Sequence, residues 1–205
     1  MALIPNRQLH LETLFVVFKT RSVVLRCPAD LEAYLQKVGG IDFSGVSSST
    51  TNAGDAIRAI TLEDAADWGR RRWLTELDGG ERYGYETGDT VAKSNVALLA
   101  SCKLLRKLTL RQTNADLTAY DRRTQHVWPK KLEDLRQNLP MDELLQLQSL
   151  RCLRFEVTES VFTRSTDVGR LAMELKTWMQ GAFDGRGAHF EVTLVRRTEF
   201  GGLGF

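Results

Sequence analysis

The amino-acid sequence predicts an α/β fold in which a mainly parallel sheet is covered by helices on one face and open on the other. The segment LLQLQSLRCLRFEV at 144–157 changes its hydrophobic period from three residues to two. This change is typical of a helix edge that leads into a strand. The same pattern recurs twice earlier, with helix-like segments between the copies. Strands that alternate with helices indicate a parallel sheet with crossover connections.

The recurring pattern has the form L-x-x-L-x-x-L-x-L, and its three copies keep the same offsets. Its positions are Ile57, Ile60 and Leu62; then Cys102, Leu105, Leu108 and Leu110; then Leu147, Leu150, Leu153 and Phe155. Leu105 follows Ile57 by 48 residues, and Leu150 follows Leu105 by 45. A near-constant period predicts an internal repeat, in which each copy adds one strand to an open βα solenoid.

The first half of the chain contains one clear strand and two helix patterns. SVVLRC at 22–27 is rich in β-branched residues and predicts the first strand. The segment 28–40 begins with proline and ends with glycine, as helices commonly do. A second helix is predicted over 61–77, because Thr61 can cap it and acidic residues follow in its first turn.

The second half continues the alternation. Helices are predicted over 91–105, over 132–147 with a break near Pro140, and over 165–181, where leucines and a tryptophan share one face. HFEVTLVRR at 189–197 alternates apolar and polar residues and predicts the last strand.

The remaining segments are predicted to be flexible. The stretch 41–55 is small and polar, 77–90 is rich in glycine, and 197–205 forms a glycine-rich tail. With 205 residues in total, we expect a single domain over 1–205.

The repeat also predicts which side chains are exposed. In a leucine-rich-repeat unit, the L-x-L positions of the short strand enter the core and the alternate positions face outward. The outward positions are Ala59, Thr61 and Glu63; Lys107, Thr109 and Arg111; Cys152, Arg154 and Glu156; and Glu191 and Thr193. Most are polar or charged, whereas a sheet buried on both faces has continuous apolar strands.

Three quoted segments carry a family resemblance. TRSVVLRCPADLEAYLQKVGG, IRAITLED and LLASCKLLRKLTLRQT resemble the leucine-rich-repeat-like α/β region of fungal F-box-type proteins, over roughly residues 20 to 196. The resemblance implies an irregular leucine-rich-repeat-like solenoid that recognises a protein partner as an adaptor. Two departures stand out. LIPNRQLHLETLFVVF is at most a remnant of the F-box helical module, and Ala65, Thr113 and Thr158 stand where typical repeats have Asn or Cys.

Composition excludes several classes of protein. The chain is 42% hydrophobic and 26% charged, which is typical of a globular protein. Its net charge of +2 gives no general attraction to nucleic acid. No apolar run reaches the roughly 20 residues of a membrane span. Cys27, Cys102 and Cys152 are widely spaced without a CxxC pair, which predicts neither disulfides nor a metal site. We expect a reducing compartment, cytoplasmic or nuclear, and no secretory signal.

The chain lacks the converging groups that an enzyme needs. Its three histidines have no metal-ligand spacing, and no phosphate-binding glycine motif is present. The carboxylates near the C-terminal edge, Glu156, Glu159, Asp167 and Glu191, have arginines close by in sequence, which favours ion pairs over acid–base catalysis or metal binding. The sequence therefore predicts no catalytic residue, no metal and no cofactor, and a hydrolase is the least favoured hypothesis.

The leading hypothesis is a non-enzymatic protein-interaction domain that uses the exposed sheet face and its loops. The residues predicted to bind the partner are Lys107, Thr109, Arg111, Arg154, Glu156 and Glu191. The alternative is binding of RNA or single-stranded DNA through the basic patch at 103–131. Its predicted contacts are Arg122, Arg123, Trp128, Lys130 and Lys131, which combine cations for phosphates with an aromatic ring for stacking.

Overall fold

The computed structural model describes residues 4–46, 52–65, 68, 70–77, 80–87, 89–113, 116–121, 123–124, 126–158, 166–183 and 189–195. The helices are α1 (Ile4–Thr20), α2 (Asp30–Gly39), α3 (Ala53–Ala56), α4 (Asp89–Ser101), α5 (Leu132–Asn138), α6 (Met141–Leu144) and α7 (Thr166–Phe183). The strands are β1 (Ser22–Leu25), β2 (Ala59–Leu62), β3 (Arg70–Leu77), β4 (Gly80–Thr87), β5 (Lys107–Thr113), β6 (Thr118–Asp121), β7 (His126–Pro129), β8 (Cys152–Thr158) and β9 (His189–Val195).

A parallel sheet is the centre of the fold. Within the described residues it contains five strands in the order β1-β2-β5-β8-β9, which is also their order along the chain. Every neighbouring pair is parallel. The predicted α/β class with a mainly parallel sheet is confirmed.

The L-x-L positions of the repeat lie on the buried face of this sheet. In β8, buried residues alternate strictly with half-buried ones, as a strand with one apolar face requires. The inward-facing residues join the helices in one hydrophobic core, which includes Leu31 of α2, Leu99 of α4 and Leu175 of α7. Burial of these apolar side chains is the main stabilising contribution to the fold.

Several predicted helices are confirmed, although their ends shift. The predicted helix at 28–40 corresponds to α2. The break near Pro140 separates α5 from α6, because proline has no amide hydrogen for the helical ladder. The helix predicted over 165–181 is α7, which continues two residues beyond Gly181 to Phe183.

The predicted helix over 61–77 is wrong. Thr61 belongs to strand β2, and β3 pairs with β4 as an antiparallel hairpin. The predicted flexible loop over 77–90 is wrong for the same reason, since β4 occupies most of it. The sequence carries Asp-Gly at 78–79, and Asp-Gly is the dipeptide favoured in two-residue hairpin connections.

Two further segments are more ordered than predicted. In the presumed loop 41–55, α3 begins after Asn52, whose side-chain oxygen accepts a hydrogen bond from the Asp55 amide at 2.9 Å. Asp55 and both alanines of α3 are buried. The basic segment around 118–129, for which the sequence predicted no strand, contains the antiparallel hairpin β6–β7. Residues 47–51 and the tail at 197–205 lie outside the described residues.

The N-terminal segment forms helix α1, which packs on the body of the protein through aromatic side chains. The ring of Phe15 meets that of Phe43 edge-on at 5.3 Å, and the centroids of Phe18 and Phe43 are 6.2 Å apart. Such pairs add to the free energy gained by burial alone. Among the described helices, none combines the length and apolar character that crossing a bilayer demands.

We expect the three cysteines to differ in reactivity. Cys102 is fully buried, whereas Cys27 and Cys152 are half-buried. Burial raises the pKa of the Cys102 thiol to about 11, so its reactive thiolate is scarce at neutral pH. Iodoacetamide should alkylate native Cys102 at least about tenfold more slowly than the other two, as read by mass spectrometry. All three should react alike in urea. Equal rates in the native protein would contradict this description of the core.

Candidate functional site

The polar face of the sheet brings the predicted protein-binding residues together. Three neighbouring strands, β5, β8 and β9, supply all of them. In the register, Thr109 lies beside Arg154, which lies beside Glu191. One row further along, Arg111 lies beside Glu156. Lys107 occupies the row on the other side of Thr109. The sequence pattern thus predicted correctly which residues share this face.

The charged side chains of this face form a continuous series of contacts, which we call the sheet ion-pair chain. It consists of Glu63, Arg111, Glu156, Arg154 and Glu191. The Arg111 guanidinium lies 2.7 Å from the Glu156 carboxylate and 3.4 Å from that of Glu63. Arg154 lies 3.5 Å from Glu156 and 2.7 Å from Glu191. Positive and negative groups therefore alternate from the end of β2 across to β9.

The two arginines differ in how firmly they are held. Arg154 donates from Nε to Glu191 at 2.9 Å, while its terminal nitrogens reach both Glu191 and Glu156. This hydrogen bond holds the pKa of Glu191 below its ordinary value and raises that of Arg154. Arg111 makes one short contact to Glu156 and one longer contact to Glu63. The β8–β9 end of the sheet ion-pair chain consequently has more polar contacts per arginine than the β2–β5 end.

Burial varies along this surface. Only 13% of the Glu156 side chain is exposed, because it lies between both arginines. Arg111 and Glu63 are much more open to solvent. The surface therefore exposes the outer edges of the Arg111 and Arg154 guanidinium groups, and the Glu156 carboxylate that contacts both of them is largely buried.

Thr109 is a correction to the predicted site. It lies on the polar face but is only 5% exposed, and its neighbour Thr61 is 7% exposed. A threonine side chain is shorter than those of Lys107, Arg111 and Arg154, which adjoin it in the register. The Thr61 hydroxyl is also hydrogen-bonded to the Ser22 hydroxyl, at 2.8 Å. Thr109 is thus unsuited to direct contact with a partner. Glu63, which was predicted to face outward but not to bind, joins the site instead.

The basic patch at 103–131 is divided by the fold. Lys103 pairs with Asp55 at 3.6 Å, and Arg111 belongs to the sheet ion-pair chain. Trp128 and the lysines Lys130 and Lys131 lie at the β6–β7 hairpin and the start of α5. Because carboxylates neutralise part of the patch, the excess of cations read from the sequence is not one continuous positive surface.

The remaining predicted nucleic-acid contacts have mixed environments. Arg123 is exposed, whereas Arg122 lies outside the described residues. The Lys130 ammonium donates to the backbone carbonyl of Asp116 at 2.7 Å. Trp128 is exposed and stacks on His126, with ring centroids 5.9 Å apart. These groups therefore offer one aromatic ring with a few nearby cations.

No group of three or more His, Cys, Asp and Glu side chains among the described residues is placed to hold a metal ion. Glu191 is kept ionised by Arg154, which makes it a poor proton donor at neutral pH. Glu159 lies outside the described residues, as do Arg164 and Arg196, two of the arginines close to these carboxylates in sequence. What the polar face can do is hold opposite charges at fixed positions.

Comparison of the chain with family models, with curated protein sequences and with solved structures returns no match.

Proposed function

We propose that this protein is a non-enzymatic interaction domain that recognises a protein partner through the polar face of its parallel sheet. The observation that carries the proposal is the sheet ion-pair chain. Five charged side chains from β8, β9, β5 and the end of β2 lie on one face of the sheet in alternating order. Charges held in fixed positions favour specific partners and exclude others.

The stability of the fold does not require the sheet ion-pair chain. An exposed ion pair such as Arg111 with Glu63 typically stabilises a protein by about 0–1 kcal/mol, because water screens it and ordering the side chains costs entropy. The apolar face already holds the strands together through its core. An ordered arrangement of charges on the opposite face is therefore better explained by recognition.

The arrangement also limits the chemistry of the partner. Three carboxylates and two guanidinium groups form the sheet ion-pair chain, and Lys107 lies one row away. A complementary surface would present basic groups towards Glu63 and Glu191 and acidic groups towards Arg111. We infer that the partner surface is mixed in charge rather than uniformly acidic or basic.

We also propose that the fold is an irregular leucine-rich-repeat-like open solenoid. It is supported by the equivalent positions Ile57, Leu105 and Leu150, which are all buried before successive strands of the sheet. In repeat proteins of this kind an open sheet face serves as an extended binding surface. The resemblance to fungal F-box-type proteins suggests recognition of a substrate protein by an adaptor.

The proposal predicts that Lys107→Glu or Arg154→Gln reduces capture of the partner from native lysate by about tenfold, since charged contacts at an interface control specificity. The wild-type protein and each variant would be immobilised and the bound proteins quantified by mass spectrometry. Lys37→Glu, an exposed charge reversal on α2, should capture as the wild type does. Lys107 lies outside the sheet ion-pair chain, so its variant leaves that series of contacts intact.

Two outcomes would overturn the proposal. One is unchanged capture by both folded variants. The other is loss of the captured proteins on nuclease treatment, which would favour the nucleic-acid alternative. Circular dichroism of each variant shows whether it is folded before capture is compared.

A further inference from the structure

A groove lies on a different part of the molecule from the sheet ion-pair chain. Strand β7 and the start of α5 form one wall, and α7 forms the other. Its volume is about 910 Å³, which is within the range of pockets that hold small ligands or peptide side chains. On the helical wall it extends from Arg170 to Trp178, or about 12 Å at roughly 1.5 Å per residue.

Exposed apolar side chains gather at this groove. Trp128 of β7 is 42% exposed and Met173 of α7 is 60% exposed. Leu132 and Leu171 also line the groove. Large apolar groups that remain in water beside a concave surface commonly mark an interaction site. Methionine is well suited to such a surface, because its flexible thioether adapts to different partners.

Both tryptophans of the groove are held in place by contacts with neighbouring residues. The Trp128 ring stacks on His126 with an angle of 24° between the ring planes. The Trp178 ring carries the Arg136 guanidinium 4.5 Å from its centroid, and Arg136 in turn pairs with Asp142 at 3.1 Å. A binding wall that is already ordered loses less conformational entropy when it is occupied.

The charge at the β7 end of the groove is positive. Lys130 and Lys131 line this end, and in the described part of the chain no carboxylate lies within 4.0 Å of either ammonium. Glu133 supplies one negative charge nearby. Arg170 and Glu174 on the opposite wall pair with each other at 3.7 Å. The groove therefore combines apolar lining residues with two lysines and one glutamate at its β7 end, an excess of one positive charge that complements an acidic, apolar ligand.

We propose that this groove binds an acidic peptide segment of a second protein. The large apolar side chains of the peptide enter between Trp128 and Met173, and the carboxylates of the peptide meet Lys130 and Lys131. This site is separate from the sheet ion-pair chain, and either proposal can fail without the other.

A peptide fits the groove better than a single strand of nucleic acid does. Nucleic acid needs cations along its whole path and open ring faces on which bases stack. Here His126 occupies one face of Trp128, and Met173 and Glu174 lie on the wall opposite the lysines. Apolar walls accept leucine or phenylalanine side chains, which bury apolar area on entry.

The test uses a fluorescein-labelled acidic peptide of about 11 residues, or three helical turns, with Leu and Phe on one face and Asp and Glu elsewhere. Binding to the full chain would be measured by fluorescence anisotropy. One twin peptide replaces the acidic residues by Lys, and another replaces Leu and Phe by Ser. We expect the acidic peptide to bind at least about tenfold more tightly than either twin, and its affinity to fall with added salt.

Two variants and one matched control locate the binding. Met173→Glu should weaken binding of the acidic peptide by about tenfold or more, because it places a carboxylate on the apolar wall. Lys131→Glu should weaken it and reduce its dependence on salt. Val16→Glu makes the same type of change at an exposed apolar residue of α1 and should leave the affinity unchanged. All substituted positions are exposed, so the variants should fold.

Several results would overturn the proposal. An acidic peptide that fails to bind up to about 1 mM would do so, and so would equal binding of the Lys twin. Tighter binding of labelled oligothymidylate, lost in Lys131→Glu, would assign the groove to nucleic acid instead. Concentration-dependent dimers in light scattering that disappear in Met173→Glu would assign it to a second copy of this chain.

Discussion

Replacing Phe155 by alanine should lower the free energy of unfolding by about 3–5 kcal/mol, the usual cost of removing a buried aromatic ring. Phe155 is fully buried at the middle of β8, between Leu110 of β5 and Val192 of β9 in the register. It belongs to the apolar face on which the helices pack. Removing the ring takes away the transfer free energy of its carbons and leaves a cavity that the rigid sheet cannot close.

Urea denaturation followed by circular dichroism measures this loss. Val24→Ala, at an exposed position of the edge strand β1, is the control and should cost less than about 1 kcal/mol. A loss below about 1 kcal/mol for Phe155→Ala would mean that the ring does not face a packed core, and the assignment of the two sheet faces would be wrong.

Glu156→Lys should produce the second large effect, a loss of about 2–3 kcal/mol in the free energy of unfolding. The Glu156 carboxylate lies 2.7 Å from Arg111 and 3.5 Å from Arg154. The substitution would place an ammonium group between two guanidinium groups in a position that is mostly shielded from water. We place the value below that of a fully buried pair because both arginines are partly exposed.

Salt and a neutral substitution separate this repulsion from a loss of packing. Glu156→Gln keeps the shape of the side chain and should cost about 1 kcal/mol. Raising the salt concentration to about 1 M should recover part of the stability of Glu156→Lys, because it shortens the screening length to about 3 Å. Equal stability of the wild type and Glu156→Lys at low salt would show that the sheet ion-pair chain does not form in solution.

The sequence predicted the parallel sheet and its polar face because both follow from periodicity. Leu153, Phe155 and Val157 alternate with Arg154 and Glu156, and a period of two assigns each set to one face. The repeat then aligned β2, β5 and β8, so that neighbouring polar residues could be inferred without knowledge of any contact. Local pattern was therefore sufficient to assign the two faces of these strands.

The errors arose where pairing depends on tertiary contacts or on a short turn. Residues 70–77 carry apolar side chains at Trp73, Leu74 and Leu77, a spacing that also fits a helix. These residues form a strand because they pair with β4. Thr109 was assigned to the correct face, but its burial depends on the lengths of its neighbours. The groove could not be predicted, because it joins β7 and α7, which are far apart in the sequence.

The order of the sheet has a consequence for synthesis of the chain. Since β1, β2, β5, β8 and β9 are adjacent in the order in which they are translated, each new strand meets a partner that has already left the ribosome. The sheet can therefore grow by successive addition from the N-terminal side. Each of these strands can pair with its predecessor before the strands nearer the C-terminus are synthesised. Exposure of an unpaired apolar edge is limited at each stage to the strand added last.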